Sequence, residues 1–337
     1  MLLADPPAPT LDELDLALVN ALQIAPRASW TQLAAALEVD AATVARRWDR
    51  LRASGNAWVT AYPYEDSGVG ALVEIDCATG RKDAVAKALA ADPHTATVEH
   101  TAGGRDLLIT VMAADFGSLS AYVVDRLGNV PGIAASRTHL MTRAYTDGSH
   151  WRLRSLTRSQ QDALTASRRA ATGASGPLSS HRELVIAMGE DARTPVGELA
   201  ARLGVSVNTA SRRLTRLIES GQLRLRCDMA RSLSGSPISV TFFGVVAPDH
   251  LDSTARELAK LPETRQCSGT AGPQNLVATV WVASLLDAQN LEVSLATRLP
   301  HLRITDRAVA LRTVKLVGKL LDEDGRARGH VPIDVWG

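Results

Sequence analysis

Arg46 and Arg50 stand one helical turn apart, and Arg212 and Arg216 repeat that spacing 166 residues later. Each pair lies in a near-copy of one stretch, "VDAATVARRWDRLRASG" at 39–55 and "VSVNTASRRLTRLIESG" at 205–221. A guanidinium can neutralise a phosphate or grip guanine with two hydrogen bonds, and asparagine can grip adenine in the same way. If Val44, Trp48 and Leu51 face a core, the opposite helix face offers Ala42, Thr43, Arg46 and Arg50. In the second copy Ala210, Leu214 and Leu217 face inward, leaving Asn208, Thr209, Arg212 and Arg216 outside. One isolated helix with such a face is more often simply solvated. A three-helix unit written twice favours contact with double-stranded DNA. Arg47 and Arg213 sit beside the core face and suit bracing ion pairs. Arg224 and Arg226 alternate in "QLRLRCD", where a wing strand would turn both toward phosphates.

The elements that must carry these residues are legible around them. "LDELDLALVNALQI" spaces Leu14, Leu18 and Leu22 four apart, one face of a helix. Ser29 and Asp40 are N-caps for the second and third helices, and Gly55 closes the third. Three helices with a tight second connection, followed by the strand-like "AWVTAYP", spell a winged helix-turn-helix. Beyond it, "ALVEID", "RKDAVAKALAAD", "TATVEH", "DLLITVMA", "FGSLSAYVVDRLG" and "IAASRTHLMTRAY" alternate as βαββαβ, a ferredoxin-like α+β sandwich.

The whole pattern is duplicated. Aligned without a gap, 27–55 and 193–221 share 13 of 29 positions, where composition alone gives about two. Further on the offset becomes 169, as Pro93/Pro262, Val111/Val280 and Pro131/Pro300 show. So long a period means duplicated domains, not a solenoid. The expected domains are winged helix-turn-helix 1 (1–64), ferredoxin-like domain 1 (65–147), a linker with a helix (148–178), winged helix-turn-helix 2 (179–236), ferredoxin-like domain 2 (237–324) and a tail (325–337) that reads as an arm or a disordered end. The linker ends in a small-residue stretch that looks flexible, and its Arg152, Arg154, Arg158, Arg168 and Arg169 suit either phosphate contact or a solvated face.

Composition excludes other classes. With net charge +1, global basicity is no argument for nucleic acid, so the local arginines must carry it. No apolar run is long enough for a membrane span, and a cytoplasmic location is expected. Cys77, Cys227 and Cys267 are scattered, without disulfide or zinc spacing. There is no Walker loop, Gly-x-Ser-x-Gly elbow or His-Glu-x-x-His helix. No catalytic set, metal or cofactor is expected.

"LDELD" followed by "LQ", with Arg27 and Ser29 before the second helix, resembles the leucine-responsive/asparagine regulator (Lrp/AsnC) family of transcription factors, as do "GGRDLLI" and "PGIAASRTHL" further on. Leu11, Asp12, Asp15, Leu22, Gln23, Leu33, Arg47, Leu51 and Gly55 also fall on that family's pattern. The second half departs, with Pro195 for the serine and Asn275 where the first half has Asp106. The resemblance implies a regulator that reads DNA as a dimer, assembles further through its ferredoxin-like domains and senses an amino acid or related metabolite. By that likeness one chain is a dimer fused end to end. Because Ala42 answers to Asn208 and Asp49 to Thr215, the operator should be an imperfect palindrome. The family's effector pockets carry over to Thr101, Gly103, Gly104, Asp106 and Thr138, and to Thr270, Gly272 and Asn275. Siroheme decarboxylases resemble the same family, some with two fused halves. They carry a Tyr-Arg-x-x-His-like run before the third strand, where this chain reads "TVEHTAGGRD" and "RQCSGTAGPQN".

Overall fold

The computed structural model describes residues 11–64, 69–165 and 176–337. The first half opens with α1 (Glu13–Ile24), α2 (Trp30–Leu37) and α3 (Ala41–Ala53), capped by Asp12, by a Ser29/Gln32 capping box and by Asp40. Each cap satisfies amides that a helix start leaves unpaired. Gly55 ends α3 at φ +72, where a side chain would be strained and a Cβ would also run into the backbone of Ala327. Then follow β1 (Ala57–Pro63), β2 (Val69–Cys77), α4 (Lys82–Ala90), β3 (Thr95–Ala102), β4 (Leu107–Ala113), α5 (Phe116–Ala121) and β5 (Ile133–Thr146). The linker holds α6 (Arg158–Thr165). Its Leu156 and Leu164 bury into the core beside α1, while its small-residue stretch, with Arg168 and Arg169, lies outside the described residues.

The second half repeats the order: α7 (Arg182–Glu190), α8 (Val196–Arg202), α9 (Val207–Glu219), β6 (Leu223–Met229), β7 (Ile238–Val246), α10 (Leu251–Ala259), β8 (Thr264–Ala271), β9 (Leu276–Val282), α11 (Leu285–Arg298) and β10 (Leu302–Leu316). Pro195 stands at the N-cap of α8 without a side-chain cap, as its substitution for serine implies. No helix among the described residues is long and apolar enough to cross a membrane.

The strand after each helix triplet is not a wing. β1 pairs antiparallel with β6 in a separate two-stranded ribbon, from Ala57↔Met229 to Pro63↔Leu223. Thr60, opposite Arg226, is also its equivalent at the repeat offset of 166, so a pseudo-twofold axis crosses the ribbon there. Every residue of β1 is buried, because the ribbon lies beneath both helix units. One apolar cluster runs through both, from Leu18, Leu33 and Trp48 to Leu184, Leu199 and Leu217. Two arginines lock the pair reciprocally. Arg27 Nη1 donates to the carbonyls of Ala192 (2.5 Å) and Thr194 (3.2 Å), and its equivalent Arg193 donates to Pro26 (2.7 Å) and Ala28 (3.1 Å).

The ferredoxin-like halves do not stand apart either. Each contributes four strands, ordered β3-β4-β2-β5 and β8-β9-β7-β10. The edges join through β5–β8 and β10–β3, closing a ring of eight. Alternation divides its faces. Val73 and Ile75 pack outward under Val85 and Leu89 of α4, whereas Leu72 turns inward with Leu108, Phe243, Val277 and Ala308.

The tail is ordered. β11 (Lys319–Leu321) and β12 (Ala327–His330) extend β10, and the Ala327 amide donates to the Gly55 carbonyl at 2.9 Å. Beyond them Asp334 pairs with Arg182, while Ile333 and Val335 bury against Tyr62 and Val317. The tail therefore straps both helix units to the barrel.

Arg193→Ala removes two hydrogen bonds and a guanidinium stacked 3.9 Å over Trp30. Urea unfolding should show a loss of about 1–3 kcal/mol; an unchanged midpoint would contradict the reciprocal lock.

Candidate nucleic-acid interface and interior cavity

The two candidate reading faces are exposed on one body. On α3, Ala42, Arg46 and Arg50 are exposed and Thr43 half-buried; on α9, Asn208, Arg212 and Arg216 are exposed and Thr209 half-buried. The faces are electrostatically unequal. Arg47 bridges Asp12 (2.6 Å) and Asp15 (2.9 Å), and Arg50 reaches the same Asp15 at 2.6 Å. In the second half Leu178 and His181 stand where Asp12 and Asp15 stand in the first. Arg212 and Arg216 accordingly have no ion-pair partner among the described residues. Arg47 is thus a brace, as its place beside the core face suggested, while Arg50 is part brace and part exposed cation.

Arg224 and Arg226, expected on a wing strand facing phosphates, lie elsewhere. Both lie in the β1–β6 ribbon and not in a wing. Arg226 is buried and paired with Asp228 at 2.6 Å, and Arg224 pairs with Asp147 while lying over the ring of Tyr64. The Arg226 guanidinium is closed off from any phosphate, and that of Arg224, a quarter exposed, is held by Asp147 and Tyr64.

The nominated effector residues cluster at the turns. Register places the 101–106 turn beside β10 and the 270–275 turn beside β5, so each half's turn meets the other half's last strand, while Thr138 pairs with Val73 within its own half. Their polar atoms are engaged. Asp106 pairs with Lys82 at 2.7 Å and accepts the Cys77 amide at 2.8 Å, which together hold its carboxyl below the usual range. Thr101 and Thr270 donate to the carbonyls of Arg105 and Gln274, and Asn275 bonds both backbone groups of Val246. Gly103 and Gly272 adopt positive φ, and Gly104 accepts from Arg137.

Between those turns lies a buried ionic cluster that the sequence reading passed over. Glu74 accepts from Arg105 at 2.5 Å and meets His139 at 2.6 Å, and Arg105 also reaches Asp306 of the other half. Burial alone would raise the Glu74 carboxyl, but His139 and Arg105 overcome it and hold it down to about 2. The signal available was Arg105 itself, a charge inside "GGRDLLI" between two nominated positions.

A feature that neither motif nor spacing signals is a cavity of about 620 Å³ inside the strand ring, on the side facing the helix units. Leu72 and Leu108 form part of its floor, and Tyr62, Arg226 and Met229 of the ribbon contribute to its roof. In its wall Arg265 lies 4.0 Å over the ring of Trp281 and shares Asp228 with Arg226. Burial, then the neighbouring Arg226, lowers the Arg265 guanidinium to about 10, leaving it cationic at neutral pH.

Comparison with known proteins matches these parts one by one. Residues 11–52 match an AsnC-type helix-turn-helix domain, 70–151 and 242–320 match the Lrp/AsnC ligand binding domain, and 179–224 match a winged helix-turn-helix DNA-binding domain. The chain belongs to the Lrp/AsnC family. Curated relatives include uncharacterised helix-turn-helix-type transcriptional regulators of Pyrococcus horikoshii (23% identical) and Pyrococcus abyssi (24%), each aligned over 141 residues, which are 39% of this chain and 86% of the relative. Such relatives are one half in length, as a duplicated family member requires. Among solved structures, the siroheme decarboxylase NirDL is similar in fold over 93% of this chain and 96% of its own, with a TM-score of 0.57 and 15% identity.

Glu74→Gln should lower stability by about 3 kcal/mol at pH 7, the low end for a broken buried pair because Asp306 still faces Arg105. A folded carboxyl held near 2 against an ordinary 4.5 stabilises fully above pH 4.5 and loses that contribution as pH falls toward 2. Urea midpoints of wild type and variant should therefore converge from pH 7 to pH 3, and a gap that stays constant would contradict the assignment.

Proposed function

We propose that this chain is a sequence-specific, DNA-binding transcriptional regulator in which one polypeptide supplies both reading heads of a family dimer. The observation that carries the reading is the presentation of α3 and α9 on one apolar core, related by the pseudo-twofold of the β1–β6 ribbon, with Arg46/Arg212 and Arg50/Arg216 exposed. Paired recognition helices fit operators built of two half-sites. The heads differ in sequence and charge, so the operator is an imperfect palindrome in which the α9 half-site contributes more of the affinity. A small molecule modulates binding, in keeping with the two ligand-binding-domain matches. Further association of chains fits the exposed Phe116 and Val124 and their equivalents Leu285 and Val293 on the outer helices.

A second reading, a siroheme decarboxylase-like enzyme, is favoured by the whole-chain fold likeness to NirDL together with the cavity. Against it, the described cavity lining contains no histidine and the strand preceding "TAGGRD" lacks the Tyr-Arg-x-x-His-like run. Incubation with siroheme separates the two, since the enzyme reading requires carbon dioxide release.

Fluorescence anisotropy on DNA from upstream of the protein's own gene, across a salt series and against random competitor, tests the regulator. Arg46→Ala/Arg212→Ala should abolish the sequence preference. Arg216→Ala should cost about 1–3 kcal/mol and flatten the salt slope by about one. Arg50→Ala should cost less, because Asp15 already holds that guanidinium. Equal losses at the two heads would contradict the asymmetry, and binding indifferent to the double variant would contradict the reading as a whole.

A further inference from the structure

The cavity sits on the pseudo-twofold axis, and duplication has let its two walls diverge. At the repeat offsets, Ala96 answers to Arg265, Met112 to Trp281, Glu99 to Ser268, Thr60 to Arg226 and Tyr62 to Asp228. Beside the first half's strands the wall carries an apolar patch, where Tyr62, Ala96 and Val317 form one buried cluster with Met112 and Leu316 packed on it, next to Glu99, which Arg231 matches. The second half's side is cationic. Arg226 and Arg265, both at least nine-tenths buried, share the single carboxylate of Asp228. The nearby cations Arg224 and Arg231 are matched by Asp147 and by Glu99 at 3.8 Å. One positive charge on the wall is therefore left without its own counter-charge, and a buried charge in that state calls for an anion.

The donors to meet one are present. Arg265 gives Nη2 to Asp228, and its Nε and Nη1 have no hydrogen-bond partner among the described residues. Ser268, only 2% exposed and on the same strand, has a hydroxyl without a partner. Both residues line the cavity, whose volume lies in the range of sites for ligands larger than a single amino acid.

We propose that the cavity binds one amphipathic monocarboxylate per chain, its carboxylate on Arg265 and Ser268 and its apolar body against Met112, Leu316 and Val317. This rests on the reading of the chain as a ligand-responsive regulator and locates that response. The ligand touches Tyr62, Arg226 and Met229 of the ribbon that joins the two heads. Occupancy thus bears directly on the element that fixes how α3 and α9 are presented.

The test is fluorescence titration of the full chain, without DNA, with 1-pyrenebutyrate and its neutral analogue 1-pyrenebutanol. The acid should bind one per chain and at least tenfold more tightly than the alcohol. Arg265→Met leaves Arg226 and Asp228 as a balanced pair, and should erase the acid's advantage while keeping the alcohol's affinity. Met112→Trp, which copies the opposite wall into the apolar one, should weaken both probes at least tenfold and covers the case in which Arg265→Met does not fold. Equal affinity of acid and alcohol for wild type, an acid preference that survives Arg265→Met, or binding untouched by Met112→Trp would each overturn the proposal. Because no DNA is present, failure here leaves the DNA-binding reading standing, and failure of the heads to bind DNA leaves this result unaffected.

Discussion

The register of the β1–β6 ribbon is the constraint on which the rest of the molecule depends. Thr60 opposite Arg226 places equivalent residues on one axis, and everything built outward from that pair inherits it. Both helix units share one core because α1 packs on β6 and α7 on β1, each on the other half's strand, and Arg27 and Arg193 can reach each other's loops only in that arrangement. The same symmetry reappears in the barrel, where Leu140↔Ala271 and Val309↔Ala102 join the halves at equivalent edges. A one-residue slip in the ribbon would exchange the face that packs into the helix core, with Ala57, Val59 and Ala61, for the face that carries Tyr62 over the cavity, and would break all of these contacts together.

Fusion then releases what symmetry would forbid. In a dimer of identical chains, a charge placed on the axis-facing wall appears twice. Here the Glu74–Arg105–His139 cluster occurs once, opposed by Phe243, Gln274 and Ala308 at the equivalent positions. Asp15 restrains the arginines of one head, and His181 leaves those of the other unrestrained. Arg265 and Trp281 line one wall while Ala96 and Met112 line the other. These differences fall at the candidate reading heads, near the barrel turns and in the cavity, whereas the ribbon register and the ring closure stay symmetric.

How much of this could be read beforehand follows from how local each feature is. Caps at Ser29 and Asp40, the periodicity of Leu14, Leu18 and Leu22, and the βαββαβ order are set by neighbours in sequence, and the helices and strands lie where those signals put them. Strand partnership is not local. "AWVTAYP" has the same pattern whether it forms a wing or a ribbon, and burial of all seven residues removes the alternation that separates a surface strand from a covered one. The misplacement of Arg226 had a visible warning in Asp228, two residues on and hence on the same strand face. The cavity had none, since it exists only after two pairs of strand edges from different halves close the ring. Arg265 and Ser268 become neighbours of Tyr62 and Met112 through that closure alone.

The central claim, that one chain folds back to pair with itself as two chains of a dimer would, can be tested with a single substitution. Val59 and Cys227 are register partners, both buried in the same cluster, and antiparallel partners lie within reach of a disulfide. Under mild oxidation Val59→Cys should form one bridge to Cys227 within the chain, its free thiols falling from four to two, given three native cysteines. The covalent mass should remain that of one 35.9 kDa chain at every protein concentration. A disulfide-linked dimer, or four thiols left free, would contradict the intrachain ribbon and the account built on it.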